Sequence, residues 1–320
     1  FFAWQIPTTV NPMSWNNGTS HLLGVPDDVL ELVSDFLQDR SFSQACSRTW
    51  VLLQRRHVHY MVVLRNLQTV IAALTDPSAT VRSITLDLRS VRDPGAQALA
   101  SLKNLPLLCA LSLGLSFNNV GNPGAQVLAT LKDARSLQQL SLNLSYNQVG
   151  DLGARALASL KDATALQSLS LNLSYNKIGP AGAQGLAAFK GAPTLRSLAL
   201  NLQRNNVGDT GAEVLASLKG NSALHALDLE FADNRIGDAG ASALAALREA
   251  PALHTLHIGL RRNEVHDAGA QALALLRDAP AARSLTLDLW GNQITAVGVQ
   301  ALADFKDAFD PPPHYKLLSA

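Results

Sequence analysis

A period of 29 residues constrains this chain more than any other feature. Glycine recurs at 95, 124, 153, 182, 211, 240, 269 and 298, and leucine keeps step at 99, 128, 157, 186, 215, 244, 273 and 302. A fixed period of this size belongs to stacked units that bury their apolar faces against one another, not to a closed globule. In the unit 137–165, LQQLSLNLSYNQVGDLGARALASLKDATA, Leu140, Leu142 and Leu144 alternate with Ser141, Asn143 and Ser145. That alternation fits a half-buried strand. Past Asn147 and Gly150, Ala154, Leu157, Ala158 and Leu160 mark one face of a short helix. Each unit therefore reads as strand, turn and helix.

The pattern LxxLxLxLxxNxVGxxGAxxLAxL resembles the leucine-rich repeat, nearest its ribonuclease-inhibitor-like subtype, over residues 81–306. The resemblance implies an α/β solenoid over 81–310: a horseshoe with a parallel sheet on its concave face and helices outside. Asparagine recurs at 118, 147, 176, 205, 234, 263 and 292. Its amide can satisfy backbone groups where the chain leaves the strand, so the stacked amides should form a buried ladder. The unit departs from the family in having LxLxL for LxL, which should lengthen each strand by two residues.

Bulk properties exclude several classes of function. Hydrophobic residues make up 47% of the chain, enough for a core spread along a solenoid. A net charge of +1 offers no global attraction to nucleic acid or to a membrane surface. Cys46 and Cys109 provide no disulfide framework, which points to a reducing compartment, cytoplasmic or nuclear. No apolar run is long enough for a membrane span, and the first residues lack the pattern of a signal peptide. The chain opens on Phe1, as a fragment would, and Met13 is a candidate start.

Residues 1–20, rich in Asn, Pro, Ser and Thr, read as an extension without regular structure. In 21–53, Pro26 with Asp27 and Asp28 suits a helix opening, and Val29, Leu32, Val33, Phe36 and Leu37 form an apolar stripe. A break at Asp39 to Ser41 precedes a second helix carrying Cys46 and Trp50. This order resembles an F-box, the helical module that docks on a Skp-type adaptor of cullin ubiquitin ligases. The resemblance implies an adaptor-binding set of Pro26, Val29, Leu30, Val33, Phe36 and Leu37. The stretch before Trp50 is shorter than in that family, and the spacing from Cys46 to Trp50 is longer. On the residues alone, a helical cap shielding the first repeat is an equal alternative.

Arg55-Arg56-His57-Val58-His59-Tyr60 reads as a solvated helix face rather than a nucleic-acid patch. Residues 61–80 read as a linking helix, which completes a helical domain over 21–80. Beyond the repeats, the tail 311–320 is expected to fold back over the last repeat as a cap; the alternative is that Pro312-Pro313-His314-Tyr315, which fits the PPxY motif, serves as a WW-domain ligand.

No catalytic constellation emerges, no cofactor is implied, and the reading is non-enzymatic. His254, His257 and His266 lie close in sequence but read as surface histidines rather than metal ligands. The glycines form no phosphate-cradling loop. The informative surface is the solvent side of the strands. Early units repeat Ser and Asn there, whereas later units carry Asp228, Glu230, His257, Arg261, Asp288 and Trp290, with Arg262 alongside. Arginine and tryptophan are frequent binding anchors, so this later half of the concave face is the expected site for a protein partner. The function expected is a non-enzymatic adaptor that presents a substrate to a ubiquitin ligase. The alternatives are a scaffold or assembly subunit with no ligase link, and a regulator of an enzyme such as a small GTPase.

Overall fold

A computed structural model describes residues 57–74 and 81–303. The chain divides into two compact units between His57 and Val58. The F-box-like residues Pro26, Val29, Leu30, Val33, Phe36 and Leu37, and the tail 311–320, lie outside the described residues.

Among the described residues, nine strands form one sheet in sequence order. They are β1 His57–Val63, β2 Ser83–Arg89, β3 Ala110–Gly114, β4 Gln139–Asn143, β5 Ser168–Asn172, β6 Ser197–Asn201, β7 Ala226–Glu230, β8 Thr255–Gly259 and β9 Ser284–Asp288. From β2 onward neighbours are parallel. Partners from β3 onward are one period apart, as in Ser141 with Ser170 and Asp228 with His257. Helices follow the strands: α1 Leu64–Leu74, α2 Arg92–Leu99, α3 Asn122–Leu128, α4 Asp151–Leu157, α5 Pro180–Leu186, α6 Gly208–Ala216, α7 Asp238–Leu244, α8 Asp267–Ala274 and α9 Ala296–Ala303. After each of α2 to α8 the chain tightens into a 3-10 turn, such as Ala158–Asp162.

Two expectations change. His57–Val63, read from sequence as helix, is the first strand of the sheet, and α1 begins only at Leu64. The run HVHYMVV is rich in β-branched valine, and as a strand it covers the free edge of β2. The extra leucine of each unit does not lengthen the strands, which stop at Asn143 and its equivalents. Backbone bonding between units nevertheless continues through a bend: Leu144 donates to Asn172 O at 2.7 Å and Tyr146 to Ser174 O at 3.0 Å.

The core lies between sheet and helices. Leu140, Leu142 and Leu144 point inward onto Ala154, Leu157, Ala158 and Leu160, all buried.

Two polar ladders hold the units together. The asparagine ladder is complete from Asn118 to Asn292. Asn176 shows its form: Oδ1 accepts from Val149 N at 2.9 Å, and Nδ2 donates to Leu144 O at 2.8 Å and Leu173 O at 3.0 Å. Asn118, Asn147, Asn234 and Asn263 are buried, and the other three are partly so. A second ladder opens the helices. Asp151 Oδ1 accepts from Gly179 N at 2.7 Å and Gly182 N at 2.9 Å, capping α5 from the preceding unit. Asp93, Asn122, Asp209, Asp238 and Asp267 repeat the bond pair. The ladder explains the glycine period, since a Cβ at Gly182 would stand 2.6 Å from Asp151 Oδ1 and 2.8 Å from Ile178 Cγ2.

Pro180 interrupts this second ladder, and the backbone changes in the next unit. Gly208, which would have received the missing cap, takes φ +61 and donates to Asn234 O at 3.1 Å. The peptide after Asn234 turns over to allow this, with φ +60 at Arg235. Loss of one side-chain acceptor is thus answered by a reversed peptide that supplies a carbonyl instead.

Among the described residues, no helix is long and apolar enough to cross a membrane.

Candidate protein-interaction face

Strand alternation and parallel register build the outer face of the sheet from columns of equivalent residues. In the early units these columns serve the fold. Asn143 Oδ1 accepts from Ser145 N at 3.1 Å and Ser145 Oγ at 2.7 Å, and Asn172 repeats the pair with Ser174. Ser145 and Ser174 are buried by the bend they close. These bonds tie the Asn143 and Asn172 amide oxygens and the Ser145 and Ser174 hydroxyls to the bends themselves.

The later units differ. Asp228 and Glu230 project from β7, and register sets His257 of β8 beside Asp228. His257 Nε2 lies 2.5 Å from Glu230 Oε1 and 4.0 Å from Asp228 Oδ1. The Glu230 hydrogen bond raises the His257 pKa above its ordinary value against the opposing effect of burial, with help from the charges of Glu230, Asp228 and Asp288. Burial in the wall of the face raises the Asp228 carboxyl as well, although half its side chain stays open to water.

Arg261, Arg262, Asp288 and Trp290 form a second group. The bend after β8 carries both arginines, and the bend after β9 carries the tryptophan. Arg261 Nε lies 3.6 Å from Asp288 Oδ2, and Trp290 N donates to Asp288 Oδ1 at 3.1 Å. The guanidinium carbons of Arg261 and Arg262 stand 4.9 and 5.1 Å from the Trp290 ring centre, within cation–π range. Between the two groups opens a depression of ≈ 430 Å³, lined by Asn201, Gln203, Glu230, Ala232, Asp233, Arg261, Arg262 and Asp288. Of the seven residues singled out in sequence, Glu230, Arg261, Arg262 and Asp288 line the depression, Asp228 and His257 adjoin Glu230, and Trp290 adjoins the arginines. His254 does not join His257: it stacks on His225 at 5.3 Å, ahead of the strand.

Sequence reasoning missed one column at the rim. Phe117, Tyr146, Tyr175, Arg204, Asp233 and Arg262 all take left-handed φ, between +50 and +58. The rings of Phe117, Tyr146 and Tyr175 stack at 4.2 and 3.9 Å, and Arg204 lies over Tyr175 at 5.1 Å while its Nε reaches Asp233 at 3.3 Å. The Tyr175 hydroxyl beside it raises the Tyr146 phenol above its ordinary pKa. The signal was present in the sequence as a column of large residues two positions beyond the last inward leucine.

A family model described as Leucine Rich repeat matches residues 111–129, 140–158, 167–187, 193–216, 221–245 and 281–303. No curated protein matches the chain in sequence. Among solved structures, the actin-binding site 2 of leiomodin-1 is similar at 22% identity and TM-score 0.38, covering 48% of this chain and 86% of that one. Internalin C2 of Listeria monocytogenes is similar at 21% identity and TM-score 0.40, covering 72% and 78%. An internalin, inlF, of the same organism is similar at 17% identity and TM-score 0.35, covering 90% and 94%.

Proposed function

We propose that this chain, a solenoid of leucine-rich repeats, is an interaction scaffold that holds a protein partner on the outer face of β7 to β9. One observation carries the reading: along the sheet, side chains spent on the protein's own bends give way to charged and aromatic groups around an open depression. Trp290 flanked by two arginines has the composition of a binding anchor, and Glu230, Asp233 and Asp288 suit a segment of mixed charge. Selection from a displayed peptide library, counterscreened against Arg261→Ala/Arg262→Ala/Trp290→Ala, tests the assignment. Ligands that require these three residues support it. A library whose binders all survive the triple substitution refutes it.

The finer reading makes the scaffold a substrate receptor. Pro26, Val29, Leu30, Val33, Phe36 and Leu37 would dock a Skp-type adaptor of a cullin ligase, in the cytoplasm or nucleus, while the solenoid holds the substrate. Its support is the residue order of 21–53 next to a repeat domain. Titration with a purified Skp-type adaptor decides it. Micromolar binding abolished by Leu30→Asp/Phe36→Asp supports the receptor, and no binding leaves a scaffold without a ligase link.

A further inference from the structure

We propose that Asp228, Glu230 and His257 form a binding site for one divalent transition-metal ion of the zinc class. One ligand atom from each lies within 4.8 Å of the others, the one such grouping among the described residues. The donor set is one imidazole nitrogen with two carboxylates. Imidazole favours zinc and its neighbours over magnesium or calcium, which prefer oxygen alone.

Charge balance and geometry agree. Two carboxylates face a single imidazole. Even with that imidazole protonated the group keeps a surplus negative charge, because Arg261 is turned to Asp288. Glu230 takes the imidazole hydrogen bond, and Asp228 has only the 4.0 Å approach. Ligand atoms about 2.1 Å from a tetrahedral ion stand roughly 3.4 Å apart. The observed separations of 2.5 and 4.0 Å fall on either side of that spacing. Small side-chain rotations would equalise them and exchange the His257–Glu230 hydrogen bond for two metal bonds. Room for the movement exists because Gly259 is the registered neighbour of Glu230, and a Cβ there would collide with the Glu230 carboxylate. Three protein ligands leave the remaining coordination to solvent on the open side of the sheet.

The histidines 225 and 254 set the alternative that the test must separate. Their rings stack, and each Nδ1 is held by a backbone carbonyl at 2.6 Å, so both Nε2 atoms are free to bind metal. The experiment uses the full chain, freed of metal with a chelator. ZnCl₂ is titrated by calorimetry, and CoCl₂ by its visible absorption. The site predicts one tight equivalent, weakened at least tenfold by Asp228→Asn and by His257→Gln and unchanged by His254→Gln. Gly259→Ala, which crowds Glu230 without removing a ligand, should weaken binding as well. Circular dichroism checks that each variant is folded, and half-exposed Asp228 is the position least able to disturb the fold. Absence of tight binding overturns the proposal. So does affinity within twofold of the parent in both Asp228→Asn and His257→Gln, or a loss that follows His254→Gln instead.

Discussion

Asn234 tests the asparagine ladder most severely, because none of its surface is exposed. Its Oδ1 accepts from Val207 N at 3.1 Å, and Nδ2 donates to Leu202 O, Phe231 O and Ala232 O at 2.8 to 3.2 Å. Asn234→Ala removes all four bonds, but the losses are unequal. Leu202 O still receives Asn205 Nδ2, Phe231 O still receives Asn263 Nδ2, and Ala232 O still receives Arg204 N. Only the Val207 N–H is left without an acceptor. One buried unsatisfied donor costs about 1–3 kcal/mol, and the small void adds to it. Asn234→Asp keeps the shape yet turns a carboxylate oxygen toward three carbonyl oxygens. An uncompensated buried charge of that kind costs roughly 3–5 kcal/mol, and the penalty should shrink as acid protonates it. Urea unfolding followed by circular dichroism measures both. At neutral pH the order should be parent, Ala, then Asp in falling stability, and Asn292→Ala, partly exposed near the end, should lose less than Asn234→Ala. An alanine variant within about 0.5 kcal/mol of the parent, or an aspartate variant milder than alanine, would refute the reasoning.

Asp209→Ala strips the acceptor from Gly237 N and Gly240 N and should lower stability by about 1–2 kcal/mol in the same assay. Gly208→Ala meets no neighbouring atom within 4 Å, so its expected loss of about 1 kcal/mol reports the left-handed backbone alone. The His257 titration, followed by NMR in chelator, should have its midpoint above the ordinary 6.5, and Glu230→Gln should lower it. Because the folded pKa is the raised one, the stabilisation is full below the unfolded value and fades as pH rises through the folded value. The loss caused by Glu230→Gln should therefore be larger at pH 6 than at pH 9.

The solenoid was legible because its determinants repeat: leucines in alternation fix the strand, and an amide every period fixes the bend. What escaped is what breaks those regularities. Strand alternation predicts that Tyr146 and its equivalents point away from the open face, but left-handed φ at that position swings the column to the rim. The Asp151 column stands at helix starts, and nothing in the local sequence shows that the amides it caps belong to the next unit. The two arginines ahead of β1 suit a solvated helical face, and they mask the valine-rich strand that follows. Asp228 and His257 are 29 residues apart, so the period already made them neighbours. The period also sets Gly259 beside Glu230, but that the Glu230 carboxylate lies over this glycine and reaches His257 is a matter of side-chain conformation.

The proposed recognition site is β7 to β9 rather than the whole sheet. Dissociation constants for a peptide selected on the parent protein test it most directly, measured by calorimetry for Trp290→Ala and for Ser141→Ala/Asn143→Ala. Loss of Trp290 should weaken binding by at least about tenfold, or 1.4 kcal/mol, while the early pair should stay within about twofold. The reverse order, with Trp290→Ala indistinguishable from the parent and the Ser141/Asn143 pair impaired, would contradict it.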